Sequence, residues 1–172
     1  LAIHATSISK YEMVSKETIL SWLEEVCDPE IPVLSLADLG VLRGVDYLNG
    51  QWHITITPTY SGCPAMKNME DDILLKLKEH GIEAKVDLVL SPAWTTDWLS
   101  ESGREKLKEF GIAPPENEVD KSVLFAAPTV VPCPKCGSRE TKMVSQFGST
   151  ACKAHYQCND CLEPYDYFKC LR

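Results

Sequence analysis

The chain predicts a small mixed α/β domain (α+β, in the order αββαβα) followed by a short cysteine-rich module. Three observations predict it. Helical and alternating apolar patterns follow one another as far as Gly111. The strongest short hairpin signal, Asn49-Gly50, stands between two alternating runs. Two Cys-x-x-Cys knuckles lie close to the C-terminus.

Ser15 is the expected N-cap of the first helix, and Ile19, Trp22, Leu23 and Val26 recur at helical spacing. Asp28-Pro29 should stop that helix, because the residue before proline avoids the helical region. Cys27 is then expected in its last, half-buried turn. The loop from Asp28 to Val33 leads to Ala37-Asp38-Leu39-Gly40, and a strand is expected from Val41 to Leu48. Past the hairpin turn, Trp52, Ile54 and Ile56 face one way and His53, Thr55 and Thr57 the other.

Pro64 suits the first turn of a second helix with its apolar stripe at Met66, Met69, Ile73, Leu74 and Leu77, ended by Gly81. Ala84, Val86, Leu88 and Leu90 alternate as a third strand. A tryptophan-rich loop, Pro92 to Trp98, precedes a capping box at Ser102 and Glu105 and a last helix ending at Gly111. A hairpin plus a crossover strand makes a small α/β sheet. From Ala113 the pattern fails at Pro114, Pro115, Pro128 and Pro132, with Glu116, Glu118 and Asp120 between. The expected division is a domain over 1–112, a linker over 113–132, part of which (Val123 to Ala126) packs on a neighbour, and a module over 133–172.

The chain has 172 residues, 44% of them hydrophobic, and a formal net charge of −8. Such an acidic chain repels phosphate backbones, so nucleic acid is not the expected partner. No apolar run is long enough to span a bilayer, and the N-terminus shows no secretory pattern. A cytoplasmic protein without a membrane partner is the expectation. Six of the eight cysteines lie in residues 133–172. Without a secretory signal, metal ligation explains them better than disulfides.

Cys133-x-x-Cys136 and Cys158-x-x-Cys161 are separated by 21 residues. Each tight turn aims two sulfurs at one ion, and two turns complete a tetrahedral site. So short a module cannot bury enough surface to fold alone, and the metal supplies the missing stabilisation. This is a zinc-ribbon pattern, with strands expected over 141–147 and 151–157. A single iron in four thiolates is the rival: Gly137 after the first knuckle suits it, and Leu162 after the second does not. Cys152 and Cys170 are either a small core residue and a terminal thiol or extra ligands. His155 precedes Cys158 by three residues and is expected at the surface.

Cys63 stands between Gly62 and Pro64, where a strand gives way to a helix. As an N-cap its sulfur would face unpaired amides at the positive end of the helix, an environment that lowers a thiol pKa. The alternative is a buried cap. The loop Asp28-Pro29-Glu30 is either a turn after a helix or a pair of carboxylates aimed at a metal or a partner. Trp94 and Trp98 are expected to anchor the last helix, with docking of a partner as the alternative. His53 is the one histidine placed to approach Cys63 as a base.

Asp28-Pro29-Glu30-Ile31-Pro32, Asp38-Leu39-Gly40 and Thr57-Pro58-Thr59-Tyr60-Ser61-Gly62-Cys63-Pro64 resemble the MIP18 family, once called domain of unknown function 59. Pro92 to Trp98, Phe147 to Ala154 and Asp166 to Cys170 resemble, within it, the D subunits of bacterial phenylacetyl-CoA epoxidase systems (the phenylacetate-CoA oxygenase PaaJ subunits). The resemblance implies a MIP18-like domain and a role in iron–sulfur cluster assembly, with Cys63, Asp28 and Glu30 as candidate iron or cluster ligands. It implies a place in aerobic phenylacetate degradation, where a di-iron oxygenase epoxidises the CoA-activated ring and a flavin and iron–sulfur reductase feeds it electrons. The implied role is accessory or maturational and not catalytic. An electron-transfer subunit, with iron in the four-cysteine site, and a structural adaptor are the alternatives. The chain carries no Glu-x-x-His pair of the di-iron kind and no glycine-rich dinucleotide fingerprint. The implied cofactors are zinc and a transient iron–sulfur cluster. The implied partners are the other epoxidase subunits. Because one thiolate cannot hold a cluster alone, a homodimer sharing it is a further expectation.

Overall fold

The computed structural model describes residues 14–115 and 130–169. Its first helix, α1 (Lys16–Leu23), starts behind Ser15, whose hydroxyl accepts from the Thr18 amide at 3.2 Å. That satisfies one of the orphan donors of the first turn. The helix ends before the expected break at Asp28-Pro29. The Val26 carbonyl is taken by the Leu36 amide at 2.9 Å, and Cys27 forms an isolated antiparallel bridge with Ser35. Backbone groups committed to that pairing cannot continue a helix, so Cys27 lies outside the helix in which the pattern placed it.

Strands β1 (Leu42–Leu48) and β2 (Gln51–Ile56) form the antiparallel hairpin, turning at Asn49 and Gly50 with positive φ. Helix α2 (Met66–Glu79) crosses over to β3 (Ala84–Leu88), which pairs parallel to β2. Trp52, Ile54 and Ile56 are buried, as their alternation predicts, under Met69, Ile73 and Leu77 of α2 and Ile19 and Leu23 of α1. Helix α3 (Glu101–Glu109) completes the expected αββαβα order.

The capping box expected at Ser102 and Glu105 does not form. Ser100 is the N-cap, accepting from the Gly103 amide at 2.9 Å. Ser102 turns instead to Asp38. That carboxylate, almost fully buried, accepts from the Ser100 and Ser102 hydroxyls, each at 2.7 Å, from Ser35 at 3.1 Å and from the Lys106 ammonium at 2.5 Å. Gly40, at φ +70°, then lets the backbone run against Trp98, where any Cβ would collide. The indole of Trp94 donates to the Leu39 carbonyl at 2.9 Å. Both tryptophans therefore anchor this corner, Trp98 beneath the Arg43 guanidinium.

A second sheet has the order β4 (Ile112–Ala113), β7 (Pro164–Phe168), β6 (Lys153–Cys158), β5 (Thr141–Ser145). Strands β5 (Thr141–Ser145) and β6 (Lys153–Cys158) are the expected ribbon strands, each shorter than the pattern suggests. Strand β7 (Pro164–Phe168) was not expected, although Tyr165, Tyr167 and Phe168 are strong strand formers. Ala113, the first residue of the expected linker, joins Ile112 in β4 and pairs parallel to β7. Phe168 leaves the ribbon and enters the main core, edge-on to Trp94 with centroids 6.0 Å apart. The ribbon keeps a smaller core of its own around Val131, Tyr156 and Tyr165. The segment Val123 to Ala126 and Cys170 lie outside the described residues.

Burial opposes ionisation of Asp38, but the bonds from Lys106, Ser102, Ser100 and Ser35 outweigh it and hold the carboxyl below the usual carboxylate range. A depressed folded-state pKa contributes stability that is present above the unfolded value of about 3.9 and lost as pH falls below it. Asp38→Ala should cost more than about 2 kcal/mol by denaturant unfolding at pH 7, and Asp38→Asn should lose the wild type's fall in stability below about pH 4. A variant as stable as wild type at pH 7 would remove Asp38 as the anchor of α3.

Candidate functional site

The four knuckle cysteines come together as the spacing predicts. Sulfur Sγ of Cys133 lies 3.7 Å from that of Cys161, and Cys136 lies 3.6 Å from Cys158. All four sulfurs lie within 4.8 Å of one another. A tetrahedral ion with metal–sulfur bonds of about 2.3 Å spaces its thiolates about 3.8 Å apart, so the set is gathered closely enough to close on one ion. The two knuckles close alike: the Cys133 amide donates to the Ser138 carbonyl at 2.9 Å, and the Cys158 amide to Glu163 at 3.0 Å. Each requires a left-handed residue after its second cysteine. Gly137 supplies it at φ +76°, and Leu162 adopts it at φ +64° despite its side chain. The departure from glycine thus changes strain and not geometry. His155 is bonded to Asp166 at 3.2 Å and takes no part in the four-thiol set.

A second cluster forms where the ribbon meets the α/β domain. A cavity there is lined by Asp28, Glu30, Tyr60, Cys63, Thr150 and Cys152, with Phe168 and Ile31 among its apolar walls. Its volume is about 20 Å³, room for about one water-sized sphere. The Asp28-Pro29-Glu30 loop is a turn whose two carboxylates line this cavity. Oδ1 of Asp28 accepts from the Glu30 and Ile31 amides at 2.7 and 2.9 Å, which fixes the side chain, only 7% exposed, at the cavity wall. Glu30 sits at the exposed rim. Cys152 enters from the turn before β6, with the Thr150 hydroxyl 3.0 Å from its sulfur.

Cys63 is not the N-cap of α2. The helix starts at Met66, with Ala65 as its cap residue, and Cys63 lies in the turn before it. The expected lowering of its pKa is reversed. Burial pushes the Cys63 thiol up, the charges of Asp28, Cys152 and Glu30 add to that, and the Ala65 amide only partly offsets them. Burial raises Asp28 and Cys152 in the same way. Nearly buried Lys153, 3.8 Å from Asp166, opposes the rise at both. His53 is bonded to Asp87 at 2.6 Å and does not line this cavity.

Sequence reasoning named Cys63, Asp28, Glu30 and Cys152 but not the meeting of Cys152 with the other three. It gave no role to Tyr60, Thr150, Lys153 or Phe168.

Residues 16–89 match the family described as "Iron-sulfur cluster assembly protein", and residues 117–169 match "PaaD zinc beta ribbon domain". The chain is 47% identical, over 89% of its length and 92% of the relative's, to an Escherichia coli (strain K12) protein named as the D subunit of a "Putative 1,2-phenylacetyl-CoA epoxidase". The chain belongs to this epoxidase D-subunit family. Over 54% of its length it is also 35% identical to 90% of a Porphyromonas gingivalis "Fe-S protein maturation auxiliary factor". The crystal structure of a domain of unknown function 59 from Bacillus anthracis matches with a TM-score of 0.50 and 27% identity, over 54% of this chain and 90% of that one. Both partial matches cover about the length of the α/β domain, so the family joins that domain to a zinc ribbon. The described residues contain no helix long and apolar enough to cross a membrane.

Two outcomes follow from this geometry. Stripping the ribbon metal with a chelator should unfold the ribbon and release Phe168, altering the near-ultraviolet circular dichroism of Trp94; an unchanged spectrum would uncouple the two modules. A raised thiol pKa means less thiolate at neutral pH, so iodoacetamide should modify Cys63 more slowly than free cysteine at pH 7 and faster as pH rises past 9. Faster-than-free alkylation at pH 7, read by peptide mass spectrometry, would restore the activated-thiolate reading.

Proposed function

We propose that this chain is an accessory maturation component of a phenylacetyl-CoA epoxidase system, delivering iron or an iron–sulfur cluster to the oxygenase or its reductase. The observation that carries the reading is the placement of Cys63 beside Asp28 and Glu30 in a small cavity of the α/β domain. That domain matches the iron–sulfur assembly family, and its relatives include named maturation factors. A raised thiol pKa suits this task. The thiol stays protonated until a cation arrives, and a cation bound by releasing a proton is readily given up again.

In this reading the four-thiol site holds zinc and is structural. Cys133 and Cys158 are buried in the ribbon core, and the site's geometry is complete without a substrate position. The ribbon then presents the α/β domain to the other epoxidase subunits, and catalysis belongs to those partners.

The test is Cys63→Ser, produced together with the oxygenase and reductase. The variant should fold and keep its ribbon metal, while the purified partners lose iron and acid-labile sulfide to the level found without this chain. Partners as fully loaded as with wild type would overturn the proposal.

A further inference from the structure

Thr59 and Tyr60 line the Cys63 cavity and also a second cavity, of about 220 Å³, that maturation through Cys63 leaves unused. It lies at the C-terminal ends of the parallel strands β2 and β3. Thr57, Thr59, Tyr60 and Ser61 come from the segment after β2, and Leu90 and Trp94 from the loop after β3. Open α/β sheets bind their ligands in crevices at such strand ends.

Two features of the lining call for a ligand. The first is a pair of hydroxyls. Thr57 and Thr59 are only 2% and 9% exposed, and among the described residues neither side chain has a hydrogen-bond partner. Their hydroxyls are not sealed in the core either: among the described residues, the side-chain polar atom closed off without a partner is the indole nitrogen of Trp52. The two threonine hydroxyls therefore face the cavity, and a buried hydroxyl left unbonded is costly. The second feature is the apolar wall. The indole N–H of Trp94 is committed to the Leu39 carbonyl, so its ring offers the cavity only apolar surface, beside Leu90.

Size and charge decide the ligand class. At about 30 Å³ for each liquid water, about seven would fill the space, which is room for one ring and a short polar tail. No charged side chain lines the cavity, so a carboxylate or phosphate would lose its water there and gain no counter-charge. Hydroxyl donors on one wall suit a carbonyl oxygen, and the indole suits an aromatic ring.

We propose that this cavity binds a small uncharged aryl-acyl group, the chemistry of a phenylacetyl thioester whose charged carrier stays outside. This rests on the epoxidase reading and deepens it: a site for the substrate class shares the Tyr60 wall with the Cys63 cavity. Binding is noncovalent. The acyl carbonyl accepts from the threonine hydroxyls, and no bond is made or broken.

The experiment is isothermal titration calorimetry on the full-length chain, its ribbon metal in place, with phenylacetamide as a neutral aryl-acyl probe that cannot acylate a thiol. Wild type should show one saturable site for which phenylacetyl-CoA competes, and phenylacetate should bind about tenfold more weakly or worse. Thr57→Val keeps the side-chain shape, removes the hydroxyl and should weaken phenylacetamide about fivefold. Ala93 also lines the cavity and is exposed, so Ala93→Leu fills the space without entering the core and should abolish binding. No saturable site in wild type, or full affinity in either variant, would overturn the proposal. So would phenylacetate binding as tightly as the amide, or phenylacetyl-CoA failing to compete. Tighter binding of a blocked Gly-Phe-Gly peptide would assign the cavity to a partner's side chain and overturn it equally. None of these results alters the iron content of the partners made with Cys63→Ser, by which the maturation reading stands or falls.

Discussion

The contact between Phe168 and Trp94 is the constraint on which the rest of the molecule depends. Phe168 is the last residue of a ribbon strand, yet it is buried in the core of the α/β domain. Removing a phenylalanine side chain from water contributes about 2–3 kcal/mol, and an edge-on aromatic partner adds about 1 more. Trp94 is itself held by the Leu39 carbonyl, one residue from the Asp38 anchor. One chain of contacts thus runs from α3 through the tryptophan loop to the ribbon. Its consequence is that Cys152 reaches the cavity of Cys63.

The two clusters of thiols differ in their surroundings. In the ribbon, four sulfurs are gathered within 4.8 Å of one another, and the backbone turns that hold them are closed by their own hydrogen bonds. Such a site gains folding free energy from its ion and has no reason to release it. At the seam, two thiols and a carboxylate are pushed toward their neutral forms by burial and by one another. Lys153 is the resident cation that tempers this repulsion.

Asp38 shows how a short signature can have a structural cause. Asp38-Leu39-Gly40 carries no catalytic group. The aspartate ties three serines and a lysine together, the leucine carbonyl receives an indole, and the glycine permits close approach to Trp98. The same network explains the missing capping box. Ser102 donates its hydroxyl to the buried Asp38 carboxylate and does not accept from an exposed helix amide, so Ser100 takes the cap. Likewise α1 stops early because Val26 and Cys27 are engaged by Leu36 and Ser35. Local helix signals lost in both places to partners distant in sequence.

The order of helices and strands, the Asn49-Gly50 turn, the buried face of β2 and the four-thiol set were determined by the sequence alone. Each depends on periodicity or on a spacing of a few residues, which the chain carries locally. The cap position of α2, the direction in which the Cys63 thiol titrates, the strand β7 and the meeting of Cys63 with Cys152 were decided only by the tertiary structure. Burial and through-space charge set those features. Both depend on which residues, far apart in the chain, the packed core brings side by side.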